Sequence, residues 1–581
     1  MRLYTTISTA ALMLASVPAS TASSCGAVKI SQLSVDGRTD APLGLGNPRP
    51  TLAWQMIQTR DCPASDEICP GDRQTAYEIQ AAATVDDLRA GRLIWKTLPP
   101  AIQSPGVSRS GMLLGSPRAG QGRTVGLLDQ SDWGQTRWLD YPDRNGSQPL
   151  PLFVRHFDIP SGRDVADARL YISGVGMHHA TVNGEDATDE VLAPGYSNYQ
   201  LSSEYRTYDV TNALRSGPNA VGVSLGNGPA YVRRNVRNPA VGRNAPYSWY
   251  NIGGSINIDT GDGGDRLESR VITAIDNGTS VISFTPALEQ SHKAGAKVTG
   301  SGNNIAASDP SAGAAVTPRF IARLEIMLDD GSSTIIVTDR SWRTTLGPLV
   351  TDAWYSGSDY DARREKLGWD EPDTDLKSSV WTSAGIAPPP NLATKLVARA
   401  AELIRKQERF SPVSVTNPAP GIWVFDFGQN IVGWPFITLP ELPAGVTIKV
   451  APAEGLNANG TANQASLGPG PRGSDLFNTY TTAGRAGGET WHPRFNYFGM
   501  QWVQVTGLPP GFEPGPELIT GIRLQADAPI AGTFTSSNAR LNRINKMAHY
   551  SFASNLMSVF TDCPGREKLS YPADYTRLRN T

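Results

Sequence analysis

Residues 561–574, which read TDCPGREKLSYPAD, bring together two aspartates, one glutamate, one arginine and one tyrosine. Carboxyl groups can donate or accept a proton during a reaction, and a tyrosine ring can stack on the face of a sugar. An arginine guanidinium can hold hydroxyl groups through its fork of N–H donors. The segment therefore has the composition of a site that cleaves glycosidic bonds.

Glycoside hydrolysis usually needs two carboxyl groups that flank the bond to be cut, one of which protonates the leaving oxygen. Glu567 is the natural proton donor of this segment, because Asp562 and Asp574 lie close to it in sequence. Like charges that crowd together raise the pKa of one member and keep it protonated. The opposing interpretation is a solvated loop that happens to hold three acids.

The acidic segment follows a stretch with helical periodicity. Apolar and small residues recur every three or four positions between Leu541 and Val559, as in an amphipathic helix. Ser536, Ser537 and Asn538 stand just ahead and are good N-cap residues. The pattern predicts a helix from Ser537 to Thr561 that leads directly into the acidic segment.

Upstream of residue 530 the chain reads as short strands between glycine and proline turns, a pattern typical of β-sandwiches. We expect a signal peptide at 1–22 and then three β domains, at 26–140, 150–375 and 391–525, before a helical region at 530–581. Residues 298–318 are rich in glycine, serine, alanine and asparagine, which indicates a flexible insertion in the second β domain.

Several blocks resemble bacterial α-L-rhamnosidases of glycoside hydrolase family 78, and the likeness runs from about residue 30 to 575. Leu43–Trp54 is similar to the fibronectin-type entry module, and Leu192–Tyr199 and Ala220–Gly228 are similar to the N-terminal jelly-roll. Three blocks are similar to a second sandwich: Ile422–Asn430, Val446–Glu454 and Trp491–Gly499. Phe534–Asn538 is similar to the start of the first barrel helix.

The resemblance implies an enzyme that releases terminal α-L-rhamnose with inversion, with Glu567 as general acid. It implies that Asp562, Arg566 and Asp574 hold sugar hydroxyls, and Tyr571 stands where the family commonly has tryptophan. The family pattern has one more acidic residue between the arginine and the glutamate. Here Arg566, Glu567 and Lys568 are consecutive, and Ser570-Tyr571-Pro572 replaces a Gly-Trp start, which leaves the loop shape open.

In the family the general base comes from much later in an (α/α)6 barrel, which needs roughly 200 residues for twelve short helices and their loops. The residues after Ser536 are far fewer than that. The expected fold is therefore mainly β, with tandem fibronectin-like and jelly-roll sandwiches followed by the first helix of an otherwise missing barrel. We expect no general base in this chain, which would then be a truncated enzyme.

Composition narrows the class of protein. The 581 residues carry a formal net charge of −2 at pH 7, which gives no reason to expect nucleic acid as a partner.

The N-terminus resembles an export signal. Arg2 followed by an apolar run at Ala10–Val17 predicts a secretory signal cleaved after Ala22, and the run is too short to span a bilayer. We therefore expect a periplasmic or secreted protein, with a lipid anchor at Cys25 as the less favoured alternative.

Cys62 and Cys69 are close enough in sequence to close a small disulfide loop in an oxidising compartment. No metal site and no cofactor is predicted. His178 and His179 are adjacent, so on a strand they would point to opposite faces. Asparagines and aspartates of the jelly-roll turns could bind calcium or a sugar, but such residues are favoured in turns for backbone reasons alone. These are Asn183, Asp186, Asp189 and Asn227.

Three functions stay open at the level of sequence. One is a glycosidase acting on a rhamnose-containing glycoside or polysaccharide, and the second is a non-catalytic, exported carbohydrate-binding protein. The third is an adhesive or scaffolding β protein. Tyr196, Tyr199 and Trp249 could form a carbohydrate platform, although aromatic residues of a sandwich more often belong to its core. The sequence does not indicate an oligomeric state.

Overall fold

The computed structural model describes most of the chain from residue 127 onward and isolated strands elsewhere. Described are residues 127, 129–142, 148–197, 199, 201–231, 318–390, 394–399, 401–467, 476–528, 530, 532–565, 568 and 570. For residues 28–35, 52–58, 80–81, 95–96, 255–259, 267–276, 281–285 and 298–301 only the strands themselves are described.

The chain divides into two compact units, and residues 1–134 with 397–399 form the smaller one. In it, β1 (Val28–Val35) pairs antiparallel with β2 (Leu52–Gln58), and β3 (Gln80–Ala81) with β4 (Trp95–Lys96). A 3₁₀ helix follows at Gln130–Trp133. These elements fall within the β domain expected at 26–140, whose fibronectin-type fold stays a prediction.

The larger unit, residues 135–396 and 400–581, begins with two facing sheets. Their strands run as β5 (Trp138–Asp140), β6 (Pro151–Ile159), β7 (Val165–Val175), β8 (Met177–Val182), β9 (Glu185–Asp186), β10 (Ser202–Asp209) and β11 (Gly217–Gly226). Next come β12 (Ser255–Asp259), β13 (Leu267–Asp276), β14 (Val281–Thr285) and β15 (Val298–Ser301), then β16 (Arg319–Leu328), β17 (Ser333–Val337) and β18 (Arg343–Leu346).

The remaining strands complete the unit. They are β19 (Leu349–Ala353), β20 (Gly357–Asp361), β21 (Thr382–Ser383), β22 (Gly385–Ala387), β23 (Lys395–Ala398), β24 (Ile404–Phe410), β25 (Ser414–Ala419), β26 (Ile422–Leu439), β27 (Thr447–Ala453), β28 (Asn478–Thr481), β29 (Glu489–Trp491), β30 (Phe498–Thr506) and β31 (Ile519–Ala526). Short 3₁₀ helices lie at Thr211–Ala213, Gly228–Tyr231, Ala362–Arg364, Gln464–Leu467 and Pro516–Leu518.

The first two sheets form a sandwich. One has the order β22-β5-β16-β7-β10-β23 with β17 on β16, and the other has the order β21-β18-β6-β11-β8-β9. Their inner faces meet around Phe320, whose ring lies edge-on to Phe153 at 5.0 Å and to Trp342 at 5.4 Å. Period-two alternation is what places such side chains on one face of a strand.

Strands β12 to β15 form a separate four-stranded sheet, with the order β14-β13-β12-β15. Val298–Ser301 pairs with Ser255–Asp259 in this sheet. The first residues of the expected flexible insertion at 298–318 are therefore a strand, and residues 302–317 lie outside the described part.

The third large sheet, with the order β19-β20-β28-β27-β30-β26-β31-β24, belongs to the second sandwich region, and β25 and β29 both pair with β26. β19 and β20 lie inside the range expected for the jelly-roll domain at 150–375, yet they join this sheet. β21 and β22 then return to the jelly-roll sheets. The two sandwiches thus exchange strands between residues 349 and 387, because local sequence pattern does not determine which sheet a strand completes.

The only α-helix among the described residues is α1 (Ala539–Asn555). Asn538 caps it, since its side chain accepts hydrogen bonds from the backbone N–H groups of Arg540 and Leu541. No residue of α1 is buried, and Leu541, Ile544 and Met547 are 47%, 54% and 63% exposed. Two short strands follow, β32 (Leu556–Met557) and β33 (Val559–Phe560). The expected architecture, mainly β with one helix near the acidic segment, is confirmed.

Nothing in the part of the chain that the structure describes qualifies as a membrane-spanning helix by length and apolarity.

Candidate active site

The helix leads into a tight hairpin that begins the acidic segment. β32 and β33 pair antiparallel around Ser558, which adopts a left-handed backbone conformation with φ of 65°. The Thr561 N–H then donates to the carbonyl of Asn555 at 2.8 Å, which closes the hairpin onto the end of α1. Thr561, the first residue of the segment, is almost fully buried.

A loop of the jelly-roll holds the tip of this hairpin. The backbone N–H of Tyr196 donates to Ser558 Oγ at 3.2 Å. Gly195 allows the approach: a Cβ atom at Gly195 would lie 2.7 Å from Ser558 Cβ, and its φ of +88° favours glycine. Met557 inserts beside Trp354 and Tyr497 in an apolar cluster that both sandwiches share. The start of the acidic segment is therefore docked on the β domains.

Lys568, on the far side of Glu567 in the sequence, is completely buried. Its Nζ donates to the carbonyl of Trp354 at 2.8 Å and to the carbonyl of Tyr497 at 2.6 Å. The same ammonium lies 4.4 Å from the ring centre of Tyr497 and 4.6 Å from that of Phe498. Aromatic faces attract a cation and partly offset its loss of water. Lysine is almost never fully buried without such partners.

Tyr196 joins the two anchors. Its hydroxyl donates to the backbone carbonyl of Lys568 at 2.5 Å and accepts from Trp354 Nε1 at 3.0 Å. The rings of Tyr196 and Trp354 meet edge to face at 5.9 Å, and Trp354 meets Tyr497 in the same way at 5.2 Å. One side chain of the jelly-roll therefore completes a network that spans the hairpin and the lysine.

The middle of the segment is also in contact with the second sandwich. Pro564 lies against Gly499, where an added Cβ would be 3.0 Å from Pro564 Cγ. Gly565 faces Leu467, with an added Cβ 3.3 Å from the Leu467 carbonyl oxygen. The described residues on both sides of Arg566 and Glu567 are thus held by β structure.

Burial dominates the electrostatics of this region. It lowers the pKa of Lys568 to about 7, against a smaller raising effect from Cys563 and Asp352. Burial also raises the pKa of Asp352 to about 6, although hydrogen bonds from Asn227 and Ser358 act in the other direction. Both groups therefore titrate near neutrality inside the protein.

Of the sugar-binding residues predicted within the acidic segment, the structure describes only Asp562. Asp562 is half-buried, and its charge adds to the burial that raises the pKa of Tyr196 and Tyr497. Arg566, Glu567, Tyr571 and Asp574 lie outside the described residues, as do Cys25 and the predicted disulfide partners Cys62 and Cys69. Their roles stay predictions.

Sequence reasoning missed the anchors Lys568, Trp354 and Tyr497, and it assigned Tyr196 only to a possible sugar platform. No pattern pointed to the lysine, because a charged residue next to Glu567 reads as solvated. The aromatic residues lie far from the acidic segment in sequence, and only the fold brings them together.

The histidine pair behaves as its position on a strand predicts. His178 faces the interior, where burial lowers its pKa to about 3. His179 faces the other way, and its Nε2 lies 2.7 Å from a carboxylate oxygen of Asp186. Within the described residues no cluster of three or more histidine, cysteine or acidic side chains could hold a metal ion.

Sequence models of three domains match consecutive parts of the chain. The α-L-rhamnosidase N-terminal domain matches residues 163–266 and 299–408, and the bacterial α-L-rhamnosidase concanavalin-like domain matches 416–525. The bacterial α-L-rhamnosidase six-hairpin glycosidase domain matches 529–580.

Individual relatives agree with these matches. An α-L-rhamnosidase of Formosa agariphila is 27% identical over 470 residues, which cover 78% of this chain and 42% of that protein. One of Streptomyces avermitilis is 30% identical over 423 residues, or 72% of this chain and 33% of that protein. The chain therefore spans less than half of the length of either relative.

Solved structures give the same fold. The α-L-rhamnosidase of Dictyoglumus thermophilum has a TM-score of 0.68 at 24% identity, and covers 92% of this chain and 53% of its own. The structure of the Streptomyces avermitilis α-L-rhamnosidase complexed with L-rhamnose has a TM-score of 0.69 at 20% identity. The match covers 93% of this chain and 62% of that one.

Proposed function

The chain belongs to the bacterial α-L-rhamnosidase family, and from that premise we propose that it supplies the proton donor of an inverting glycosidase that releases terminal α-L-rhamnose. Glu567 is the general acid of this proposal. The observation that carries it is the anchoring of the acidic segment: Thr561 and Lys568, which bracket Glu567, are both buried in β structure.

The anchoring matters because a catalytic acid must be held within hydrogen-bonding reach of the oxygen that it protonates. Misplacement by about 1 Å can cost roughly a hundredfold in rate. The hairpin and the lysine anchor the chain at Thr561 and at Lys568, which bracket the acid in the sequence. Asp562, Arg566, Tyr571 and Asp574 are the proposed sugar-binding residues around it.

Inversion also needs a carboxylate that activates water on the opposite face of the ring, about 6.5–9.5 Å from the acid. We assign no such base to a residue of this chain. The family resemblance places it in a later part of the helical domain. In the proposed reaction Glu567 protonates the leaving oxygen, and a carboxylate of that domain activates the water. The substrate is a glycoside or polysaccharide that carries rhamnose.

The test measures hydrolysis of p-nitrophenyl α-L-rhamnopyranoside and of methyl α-L-rhamnopyranoside by the protein and its Glu567→Gln variant. A general acid contributes about 10²–10⁴-fold, and more for a poor leaving group. We therefore expect a larger loss with the methyl glycoside. The matched control is Glu513→Gln, which changes an exposed glutamate of the second sandwich region.

Equal losses for both leaving groups, or full activity of Glu567→Gln, would contradict the assignment of the acid. NMR of the first product distinguishes the stereochemistry, because inversion gives β-L-rhamnose before mutarotation. Because the base is assigned to a later part of the helical domain, the assay is run with that part present. Absence of hydrolysis by the folded wild-type protein would then favour a protein that only binds the glycan.

We also propose that the protein is exported, with cleavage after Ala22 and a disulfide between Cys62 and Cys69. The apolar run at Ala10–Val17 and the oxidising compartment that export implies support this. Mass spectrometry of the protein recovered from the periplasm or medium should find Ser23 as its first residue. A lipid on Cys25, or free thiols at both loop cysteines, would contradict it.

A further inference from the structure

A cavity with a volume of about 570 Å³ lies away from the acidic segment. One wall is the outer face of the β8–β11 part of the jelly-roll, and the opposite wall is residues 490–495 of the second sandwich region. A loop at residues 365–371 closes one side. Ligand pockets in proteins usually measure about 300–1,000 Å³. The cavity is therefore large enough for a small molecule.

The sequence of β8 explains the jelly-roll wall. Ala180 and Val182 face the core of the sandwich, so that the alternating His179 and Thr181 face the cavity. Gly222 on the neighbouring β11 leaves room for the loop, because an added Cβ would lie 2.6 Å from Asp370 Cβ. The loop thus presents Asp370 directly over the sheet.

Aromatic side chains make up much of the rest of the lining. Trp369, Phe436 and Trp491 all border the cavity. His492, which also lines it, is stacked on Trp434 with ring centres 4.3 Å apart. Flat aromatic surfaces beside a few polar groups are suited to the apolar face of a sugar ring.

Most charged groups of the lining already have partners. His179 is bound to Asp186, Glu365 accepts a hydrogen bond from Tyr360 at 2.7 Å, and Lys366 Nζ donates to the carbonyl of Leu346 at 2.9 Å. These groups shape the cavity without needing a ligand.

Among the polar groups of the lining to which the described residues give neither a hydrogen bond nor an ion pair, three are relevant to a ligand. They are the guanidinium of Arg494, the carboxylate of Asp370 and the hydroxyl of Thr181, whose oxygen is fully buried. Arg494 is exposed, and loss of water lowers its pKa while the nearby Asp186, Tyr360 and Asp370 raise it. A buried hydroxyl without a partner, such as that of Thr181, is costly, and a ligand that bonds to it can remove that cost.

We propose that this cavity is a non-catalytic binding site for a neutral saccharide unit, held by Arg494 and Asp370 against the aromatic wall. A sugar hydroxyl both accepts and donates, so it can accept from the guanidinium and donate to the carboxylate. Asp186, Asp370 and Glu371 outnumber the unpaired cation in the lining, which disfavours an anionic sugar. The choice of a rhamnose-bearing glycan as the source of that unit rests on the proposed function.

Calorimetric titration with methyl α-L-rhamnopyranoside and with methyl β-D-glucuronide tests the site. All proteins carry Glu567→Gln, which prevents turnover and separates this test from that of hydrolysis. Arg494→Gln and Asp370→Asn should each weaken binding of the neutral glycoside at least tenfold. The control Arg163→Gln changes a partly exposed arginine that pairs with Asp329 and Asp330 elsewhere on the jelly-roll, and it should bind as the parent does.

Melting temperatures of the four proteins, compared first, ensure that only folded variants are scored. Equal affinity in all four, tighter binding of the glucuronide, or no binding of either glycoside at millimolar concentration would overturn the proposal. Absence of hydrolysis by the protein with Glu567 intact, together with Arg494-dependent binding in the Glu567→Gln proteins, would contradict the proposed function and leave the saccharide site supported.

Discussion

Replacing Tyr196 with phenylalanine should release the acidic segment from the β domains. The change removes one hydroxyl and leaves the ring in place. Two groups lose their partner: the carbonyl of Lys568, at 2.5 Å, and Nε1 of the buried Trp354, at 3.0 Å. Each unsatisfied buried group costs about 1–3 kcal/mol. We expect a loss of about 3 kcal/mol in the free energy that holds the segment in place.

Tyr199→Phe is the matched control on the same loop. Tyr199 is buried, and its hydroxyl donates to the carbonyl of Gly174 at the longer distance of 3.3 Å. A single neutral hydrogen bond contributes about 1 kcal/mol. Both variants remove one oxygen atom from a tyrosine, so a difference between them reports the contacts of Tyr196 with the segment.

Hydrogen exchange at the Thr561 amide provides the local measurement. That amide donates to Asn555 at 2.8 Å, and it exchanges only when the hairpin opens. A difference of about 2 kcal/mol between the variants corresponds to about a 30-fold faster exchange in Tyr196→Phe. Exchange no faster than in Tyr199→Phe would refute the reasoning that Tyr196 anchors the segment.

Three further outcomes follow from the same contacts. Gly195→Ala should destabilise the protein by about 2 kcal/mol more than Gly162→Ala in urea unfolding, since both glycines have positive φ but only Gly195 faces Ser558. Burial lowers the pKa of His178 to about 3, so stability should fall by about 3 kcal/mol from pH 7 to 4 as the unfolded state takes up its proton, and His178→Gln should lack this part of the fall. The pKa of Lys568 is lowered to about 7, so the free energy of unfolding should rise by about 4 kcal/mol from pH 7 to 10, and Lys568→Met should lack that rise. For either residue, identical pH profiles of the variant and the wild type would contradict the assignment.

Local sequence patterns predicted much of the fold. Short runs between glycine and proline turns predicted strands upstream of residue 530, and β1 to β31 all lie there. Asn538 was one of three candidate caps for the helix and is the residue that caps it. Such features depend on neighbours in sequence, which is why a sequence can show them.

The helix ends earlier than its apolar periodicity suggested. Residues 556–560 continue the spacing, but Ser558 takes a left-handed conformation and the chain turns into a hairpin. Met557 gains burial in the cluster around Trp354 by leaving the helix. Tertiary burial therefore outweighed helical periodicity, and the other buried residues of the cluster lie between Met177 and Leu524, outside the helix.

The candidate site could be predicted only in its composition. Its supporting contacts join Lys568 to Trp354 and Tyr497, and each of these pairs is long-range. A buried lysine contradicts the usual placement of charge, so residue type argued against it. The fold resolves the contradiction, because two carbonyls and several aromatic rings surround the ammonium.

These contacts change the role that the β domains have in the proposed enzyme. The helix α1 buries none of its own residues, so it cannot by itself fix the acidic segment that follows. The residues that support a catalytic group must hold it to within about 0.5 Å of its productive position. Here that support comes from Tyr196 of the jelly-roll and from Trp354 and Tyr497 of the shared cluster. A chain that began at residue 529 would contain Glu567 without any of these partners. The two sandwiches are therefore part of the scaffold of the proposed active site, in addition to any glycan that they bind.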